Sequence, residues 1–503
     1  MGLYYLPMNL DPVACYRALC SRDSRFDGKF FVAVKSTGIY CRPICPAPTA
    51  LSKNCQFFST AAGAESAGFR PCLRCFPESS PSFFANTSVS ETVRQALMLI
   101  EHENSESRSV EDIAQNVGVS SRHLNRIFQQ QLNLSPSQII KTKRLQMAKK
   151  LISETPLTMS QIAMTSGFPS TKQFNAEIKK IFNRAPSDLR NVVKSNETTA
   201  SVLTINLAYR PPFNWLQIER YFQSRLSEGV ELFSEAVYRR VLKLDEQYGI
   251  IRVSHNANSR SLTLEVPGVF WRHLPKIIRK TRQLFDLDSD PQSIDHHLSQ
   301  DPYLTKTIEM KPGIRILGSW SFFELSLRTI IGQQITVVGA ATITRRLVEK
   351  NGEPIEDSFR RAMVSHDQPI HCLFPTAEHL VNADLSNIGL TATRIETIKR
   401  FSEAYLRNTF RFKAGVDSKM VMASLMSVKG IGPWTANYIA MRALRDPDAF
   451  PSADLALLKA YNKFNGDAVS AAELLSVSEK WRPWRGYAAM YLWNSLTNEG
   501  TKQ

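Results

Sequence analysis

Four cysteines are spaced for a metal. Cys41 and Cys45 form a C-x3-C pair, Cys72 and Cys75 form a C-x2-C pair, and 26 residues intervene. Each short pair can turn two thiolates onto one tetrahedral zinc ion. A second constellation lies far along the chain, where V-K-G-I-G-P-W-T-A-N-Y runs from Val428 to Tyr438 and F-P-S-A-D from Phe450 to Asp454. Gly430 and Gly432 flank one apolar residue, so a tight turn there can bring bare backbone N–H groups to an anion. The positive end of the next helix adds to that attraction. Two glycines also suit a plain corner between helices. The carboxylate of Asp454, beyond Pro451 at the mouth of another helix, favours a phosphate grip beside a reactive acid.

Composition sets the frame for both constellations. The 503 residues suffice for several domains, and 43% hydrophobic with 21% charged residues is the balance of folded globular protein. A net charge of +16 suits a polyanionic partner, although a merely basic, solvated surface gives the same count. The start M-G-L-Y-Y-L-P-M-N-L-D lacks the basic and apolar runs of a signal peptide, and no apolar run reaches membrane-spanning length. The expectation is a cytoplasmic, nucleoid-associated protein. Seven of the eight cysteines lie in the first 75 residues, and in a reducing compartment such clustering favours metal or catalysis over disulfides. Cys15, Cys20 and Cys55 lack close pairing and read as ordinary small residues. Four thiolates around zinc most often make a closed structural site, and spacing alone leaves that reading open.

The elements that position these groups fall in sequence order. S-S-P-S-F-F-A-N-T-S at 79–88 reads as a linker. Val110, Ile113, Ala114 and Val117 then recur at helical spacing up to Gly118, and a second helix from Ser120 or Ser121 buries Leu124, Ile127 and Phe128. The pattern repeats with Ile162 and Ala163, a turn at Gly167, and Phe174, Ile178 and Phe182. The units end alike in L-N-L-S-P-S and F-N-R-A-P-S, where Asn133 and Asn183 suit left-handed caps. K-T-K-R-L-Q-M-A-K-K-L-I between them reads as a basic linking helix, and residues 110–190 hold 12 Lys and Arg against 5 Asp and Glu. A duplicated helix-turn-helix with this charge points to DNA. Ser121, Arg122 and Asn125, with Thr171, Lys172 and Asn175, are the candidates to touch bases or phosphates; plain solvated surface is the alternative for each. K-S-N-E-T-T-A-S at 194–201 reads as a second linker. Beyond it S-V-L-T-I-N-L-A-Y, G-I-I-R-V-S-H and S-L-T-L-E-V alternate as strands, predicting a small antiparallel sheet to about residue 295 and mostly helix afterwards.

The words around the cysteines, T-G-I-Y-C-R-P-I-C and A-G-F-R-P-C-L-R-C, resemble the amino-terminal domain of the Ada alkylation-response family. The doubled helical unit resembles the AraC-type regulator domain that follows it there. The resemblance implies that Cys41, the first cysteine of C-R-P-x-C, accepts a methyl group from a DNA methylphosphotriester, with Cys45, Cys72 and Cys75 as its fellow zinc ligands. Zinc would keep the sulfur as thiolate, and a neutralised phosphate no longer repels the anionic cluster. Methylation would take the cluster's formal charge from about −2 to about −1. At an effective dielectric of about 20 and a distance of about 7 Å that is roughly 2.4 kcal/mol, or up to roughly fifty-fold in DNA affinity before screening. Pro46 and Pro48 stand where the family carries arginines, so the phosphate grip is expected to rest on Arg42, Arg70 and Arg74.

L-A-Y-R-P-P-F-N-W, G-I-R-I-L-G, F-E-L-S-L-R-T-I-I-G-Q-Q-I-T and the G-I-G turn resemble AlkA-type 3-methyladenine DNA glycosylases of the helix-hairpin-helix family, over roughly residues 202–496. The resemblance implies that Gly430 and Gly432 hold a backbone phosphate, that a metal ion can sit at the hairpin turn, and that Asp454 faces the sugar. Such an enzyme must flip its target nucleotide out of the duplex. Trp434, Tyr438 and Trp493, with Tyr221, would wall the base pocket, where stacking and cation–π attraction of roughly 1 to 2 kcal/mol per ring suit a cationic base. Gln334 falls at the duplex-plugging wedge, where a leucine would serve better. Trp434 stands where lyase-competent relatives carry a Schiff-base lysine. Cys372 is the only cysteine of the back half, which rules out a four-cysteine iron–sulfur cluster. The P-C-H-R methyltransferase motif is also missing, so repair of O6-methylguanine is not expected.

The reading is a multidomain α+β chain: a zinc-binding methyl-acceptor domain at 1–82, an all-α double helix-turn-helix domain at 83–193, an antiparallel β domain with helices at 202–298, and an α-helical glycosylase domain at 299–503. Its expected activity is monofunctional hydrolysis of the N-glycosidic bond of alkylated bases, coupled to methyl transfer and transcriptional regulation. Double-stranded DNA is the expected partner, through alkylated bases, methylphosphotriesters and promoter sites. RNA polymerase is the implied protein partner, and a monomer the expected state. The competing reading is a purely regulatory protein whose glycosylase-like domain only recognises lesions; Asp454 argues against it.

Overall fold

The computed structural model describes residues 10–75, 77, 80, 89–102, 109–190, 202–362, 367, 369–410 and 418–496. The linkers expected at 79–88 and 194–201 lie outside them, apart from Ser80. The chain forms two compact units, Met1–Arg210 with Asn256–Arg279, and Pro211–His255 with Lys280–Gln503.

In the first unit a short sheet runs in the order Cys55–Phe58, Phe31–Val34, Ile39–Cys41, Arg70–Pro71. Alternation along the second of these strands feeds two cores. Val32 packs with Phe30, Cys15, Ala18 and Leu19, whereas Phe31 and Ala33 pack with Tyr40, Ala61 and Ala64. The last two strands are parallel, with Tyr40 opposite Pro71, so Cys41 and Cys72 leave the sheet side by side. The helix Ala61–Ser66 docks on the linking helix Pro136–Glu154: Glu65 accepts from Tyr40 Oη at 2.9 Å and Thr142 Oγ1 at 2.5 Å, and Gln138 Nε2 donates to Ser66 Oγ at 3.1 Å.

The two helix-turn-helix units are Val110–Asn116 with Ser121–Leu132, and Met159–Thr165 with Thr171–Phe182. Each second helix buries the three apolar residues expected of it and ends on an asparagine in the left-handed region, Asn133 at φ 54° and Asn183 at φ 53°. The strands Val202–Ala208 and Ser261–Pro267 of this unit pair antiparallel.

The second unit holds the antiparallel strands Glu231–Ser234, Val237–Leu244 and Gln247–Asn256, and is otherwise mostly helical. Two hydrophobic cores meet at the helix Pro433–Arg442. Ala436 and Ile439 enter one core with Leu327, Ile398, Phe401 and Leu425, while Ala440 and Met441 enter the other with Leu457, Tyr461, Trp481 and Tyr491. That second core orients the helix Leu455–Asn465, which Asp454 opens, and the helix Arg485–Ser495, which carries Trp493.

Candidate active site and metal centre

The helices Ser418–Met426 and Pro433–Arg442 enclose the G-I-G turn. Gly430 has φ +97°, and a Cβ there would lie 2.1 Å from Thr397 Oγ1, so both backbone and packing require glycine. Gly432 differs. It caps the second helix at φ −100°, ψ −179°, is exposed, and a Cβ would meet nothing within 4 Å. Folding does not need a glycine at 432, whereas close approach of an anion to the helix start does. Gly430→Ala is therefore expected to lose about 1 to 3 kcal/mol in urea unfolding. Gly432→Ala should cost under about 1 kcal/mol of stability, alanine being the poorer N-cap, and bind duplex DNA about tenfold more weakly, because a Cβ holds the phosphate away from the helix N–H groups. Equal affinities in a titration would remove the phosphate grip.

Asp454 is held by four donors. Oδ1 accepts from the backbone N–H groups of Ala456 and Leu457, each at 3.0 Å, capping the helix they begin. Trp493 Nε1 donates to Oδ1 at 3.0 Å and Trp434 Nε1 to Oδ2 at 2.8 Å. The half-buried carboxylate is thus fixed between two indoles. Trp434 stacks on Tyr438 at 5.7 Å between ring centres, and Tyr438 meets Trp493 at 6.0 Å. The arrangement offers a fixed negative charge beside an aromatic wall, which can stabilise a cationic sugar centre and direct a water to it.

In the first unit the thiols of Cys41, Cys45, Cys72 and Cys75 lie within 4.8 Å of one another. Zinc–sulfur bonds of about 2.3 Å in a tetrahedron require a separation of this size, so the set fits one zinc ion. The four sulfurs are not equivalent. Backbone N–H groups of Arg42 and Arg74 point at the sulfurs of Cys75 and Cys72, at 3.3 and 3.4 Å, and Ala47 N–H serves Cys45. Among the described residues none is directed at Cys41, which is half-buried while the other three are buried.

Comparison with known proteins agrees with this layout. Residues 14–78 match the metal binding domain of Ada, 113–191 a helix-turn-helix domain, and 204–321 the AlkA N-terminal domain. The probable bifunctional transcriptional activator/DNA repair enzyme AlkA of Mycobacterium tuberculosis is 34% identical over 493 residues, 97% of this chain and 97% of its own length. The chain belongs to this bifunctional AlkA family. The DNA-3-methyladenine glycosylase 2 of Escherichia coli is 28% identical over 290 residues, covering 57% of this chain and 95% of that protein. The 3-methyladenine DNA glycosylase of Archaeoglobus fulgidus aligns with a TM-score of 0.50 at 22% identity, over 59% of this chain and 99% of that one, and shows a shared fold.

Other expected site residues of this AlkA-family chain are placed less simply. Arg42 turns inward rather than towards DNA: it is 8% exposed, its Nε and Nη2 donate to the Asp27 carboxylate and its Nη1 to the Cys75 carbonyl. A guanidinium held in a buried ion pair cannot also grip a surface phosphate, which leaves Arg70, half-buried, and Arg74, exposed. Tyr221 shares the Arg442 guanidinium with Tyr438 and Trp493, and the guanidinium carbons of Arg442 and Arg225 lie 4.6 and 4.9 Å from its ring centre. Gln334 is exposed in the left-handed region at φ 59°, with exposed Ile335 and Val338 beside it. Arg122, Asn125, Thr171, Lys172 and Asn175 are exposed and Ser121 half-buried. Cys15 is packed in the core, and burial, with Asp11 adding, pushes its thiol up to about 11. Among the described residues no helix is long and apolar enough to cross a membrane.

Sequence reasoning missed three contributors. Gln333 Nε2 donates to the Gly430 carbonyl at 3.0 Å and to Thr435 Oγ1 at 2.9 Å, tying the loop before residue 337 to the hairpin turn. Thr397 fills the space a Cβ at 430 would need. Arg442 lies against the rings of Tyr221, Tyr438 and Trp493, and its spacing i, i+4, i+8 with Trp434 and Tyr438 is the signal that could have found it.

Proposed function

We propose that the chain is a monofunctional DNA glycosylase for alkylated bases fused to a methylphosphotriester-sensing transcriptional regulator. The observation that carries the enzymatic half is the capture of Asp454 between Trp434 and Trp493 beside the hairpin turn. The amides at the turn hold a phosphate next to the lesion while the nucleotide is flipped. Asp454 stabilises positive charge as it develops at C1′ and steers water to that carbon. The electron pair of the C1′–N bond goes to the base, the water's oxygen takes its place, and the proton the water loses passes to the Asp454 carboxylate and on to solvent. An N-alkylated base is already positive and leaves neutral, so one carboxylate suffices where ordinary glycosidases use two. Trp434 offers no amine to attack the sugar, and the product is an intact abasic site. The hairpin also offers backbone carbonyls for a cation, although that of Gly430 already accepts from Gln333.

In the front half Cys41 is the methyl acceptor. Its sulfur attacks the methyl carbon, an S–C bond forms, and the C–O bond breaks with its electron pair passing to phosphate oxygen. Its lesser burial, and the lack of any N–H directed at it among the described residues, favour this sulfur, because hydrogen bonds to a thiolate stabilise it and reduce its reactivity. Zinc, when bound, keeps the thiols deprotonated at neutral pH. The tandem helix-turn-helix supplies promoter binding, with RNA polymerase as the partner that a DNA-bound activator would engage.

Release of free 3-methyladenine from alkylated duplex by the purified protein tests the first half; bound lesion without release would favour the regulator that only recognises damage. For the second half, mass spectrometry after exposure to methylated DNA should place S-methylcysteine at Cys41. Label at Cys72 or Cys75 instead would overturn that assignment.

A further inference from the structure

Arg442 ends the second hairpin helix and is 2% exposed. Its guanidinium carbon lies 4.6 Å from the ring centre of Tyr221, 5.2 Å from that of Tyr438 and 6.0 Å from that of Trp493. Nη1 donates to the Leu317 carbonyl at 2.8 Å, and Nη2 meets the Met490 sulfur at 3.2 Å. Among the described residues Nε has no hydrogen-bond partner and no carboxylate pairs with the group. Arg328, also close to these tyrosines, differs in having Glu231 and Glu324 at 3.6 Å. Burial alone would raise the Tyr438 phenol, yet Arg442 leads the charges that bring it below the ordinary tyrosine value.

A full positive charge therefore sits against three of the four rings that wall the base site. A ring already loaded with a guanidinium attracts a second cation less, because the two charges repel across a poorly screened space. Damaged purines divide on this point. An N-alkylated base arrives positive and leaves neutral once the electron pair of its C1′–N bond returns to it. An uncharged base arrives neutral and carries that pair away as negative charge, until a proton of the attacking water neutralises it and the hydroxyl stays on C1′. A fixed cation opposes the binding of the first and favours bond breaking in the second. We infer that Arg442 is a specificity-determining residue, a buried cation that tilts excision from cationic alkylated bases towards uncharged damaged purines. The inference rests on the glycosylase reading of the same site.

The test compares release of 3-methyladenine and of hypoxanthine from duplex substrates by the full-length protein, Arg442→Met and Arg442→Lys. Arg442→Met should lower the ratio of hypoxanthine to 3-methyladenine release about tenfold, and Arg442→Lys should hold it within about threefold, as expected for one charge acting over roughly 10 Å at an effective dielectric of about 20. Parallel loss of both activities with an unchanged ratio would mean a merely structural arginine and overturn the inference. So would a wild type that releases 3-methyladenine but no hypoxanthine. Met490→Glu covers the case in which Arg442→Met fails to fold: it keeps the arginine, gives Nη2 a carboxylate, and should move the ratio the same way. An unchanged ratio in that variant also overturns the inference. A wild type that releases neither base sinks the glycosylase reading itself.

Discussion

Asp454→Asn should lower the rate of 3-methyladenine release by about 100-fold or more, the size seen when one preorganised electrostatic group is removed from a transition state. Its melting temperature should fall by only about 2 to 4 °C, because asparagine keeps the helix cap through its amide oxygen while its NH2 group leaves the Trp434 indole N–H without an acceptor. The substitution separates two duties of one side chain. Oδ1 closes the first turn of the helix Leu455–Asn465 through Ala456 and Leu457, and an amide oxygen can do the same. What the amide cannot supply is the negative charge that the proposed mechanism requires. Asp454→Ala would confuse the two effects by removing the cap, at about 1 kcal/mol. Single-turnover base release with excess enzyme is the measurement. A variant that cleaves as fast as wild type would remove Asp454 from the mechanism.

Removal of zinc should have the second large effect, on the other half of the chain. The sheet that presents Cys41 and Cys72 has short strands, and its residues divide between two small cores, Phe30 and Val32 with Cys15, Ala18 and Leu19, and Phe31, Ala33 and Tyr40 with Ala61 and Ala64. Neither core is large enough to hold a domain of this size without a staple. Four thiols converging within 4.8 Å repel one another once ionised unless a cation sits among them. Structural zinc in small modules contributes about 10 to 16 kcal/mol, so its loss should unfold this one. Cys72→Ser, or chelation, is expected to reduce bound zinc from about one per chain to near none and to expose the segment before residue 76 to protease. Base release should continue, since the aromatic and acidic groups of that site lie wholly in the second unit. Unchanged protease protection after complete chelation would refute a structural role for the metal.

The parts that were legible in the sequence are those set by local periodicity or short spacing. The cysteine pairs, the two helix-turn-helix units with their asparagine caps, and the strand alternation of 202–267 each need only a few neighbouring residues to declare themselves. The parts that were not legible depend on pairs brought together from a distance. Arg42 looked like a phosphate ligand because nothing local says that Asp27, fifteen residues earlier, will receive its guanidinium. The indoles of Trp434 and Trp493 were read as stacking surfaces, whereas they also donate to a carboxylate 20 and 39 residues away. Arg442 was readable in principle from helical spacing, but an arginine at the end of a helix ordinarily serves the helix dipole, and only its three ring contacts reveal otherwise.

The two bonds from Gln333 to the hairpin bear on how costly DNA binding is. Loops that become ordered only on contact with a partner lose about 0.5 to 1.5 kcal/mol per immobilised side chain from the binding free energy. Here the loop bearing Gln334 is already fastened to the Gly430 carbonyl and the Thr435 hydroxyl before any DNA arrives. Its ordering entropy is spent during folding. On the proposed glycosylase reading, the turn and the exposed tip at Gln334 would meet a duplex as one preorganised surface.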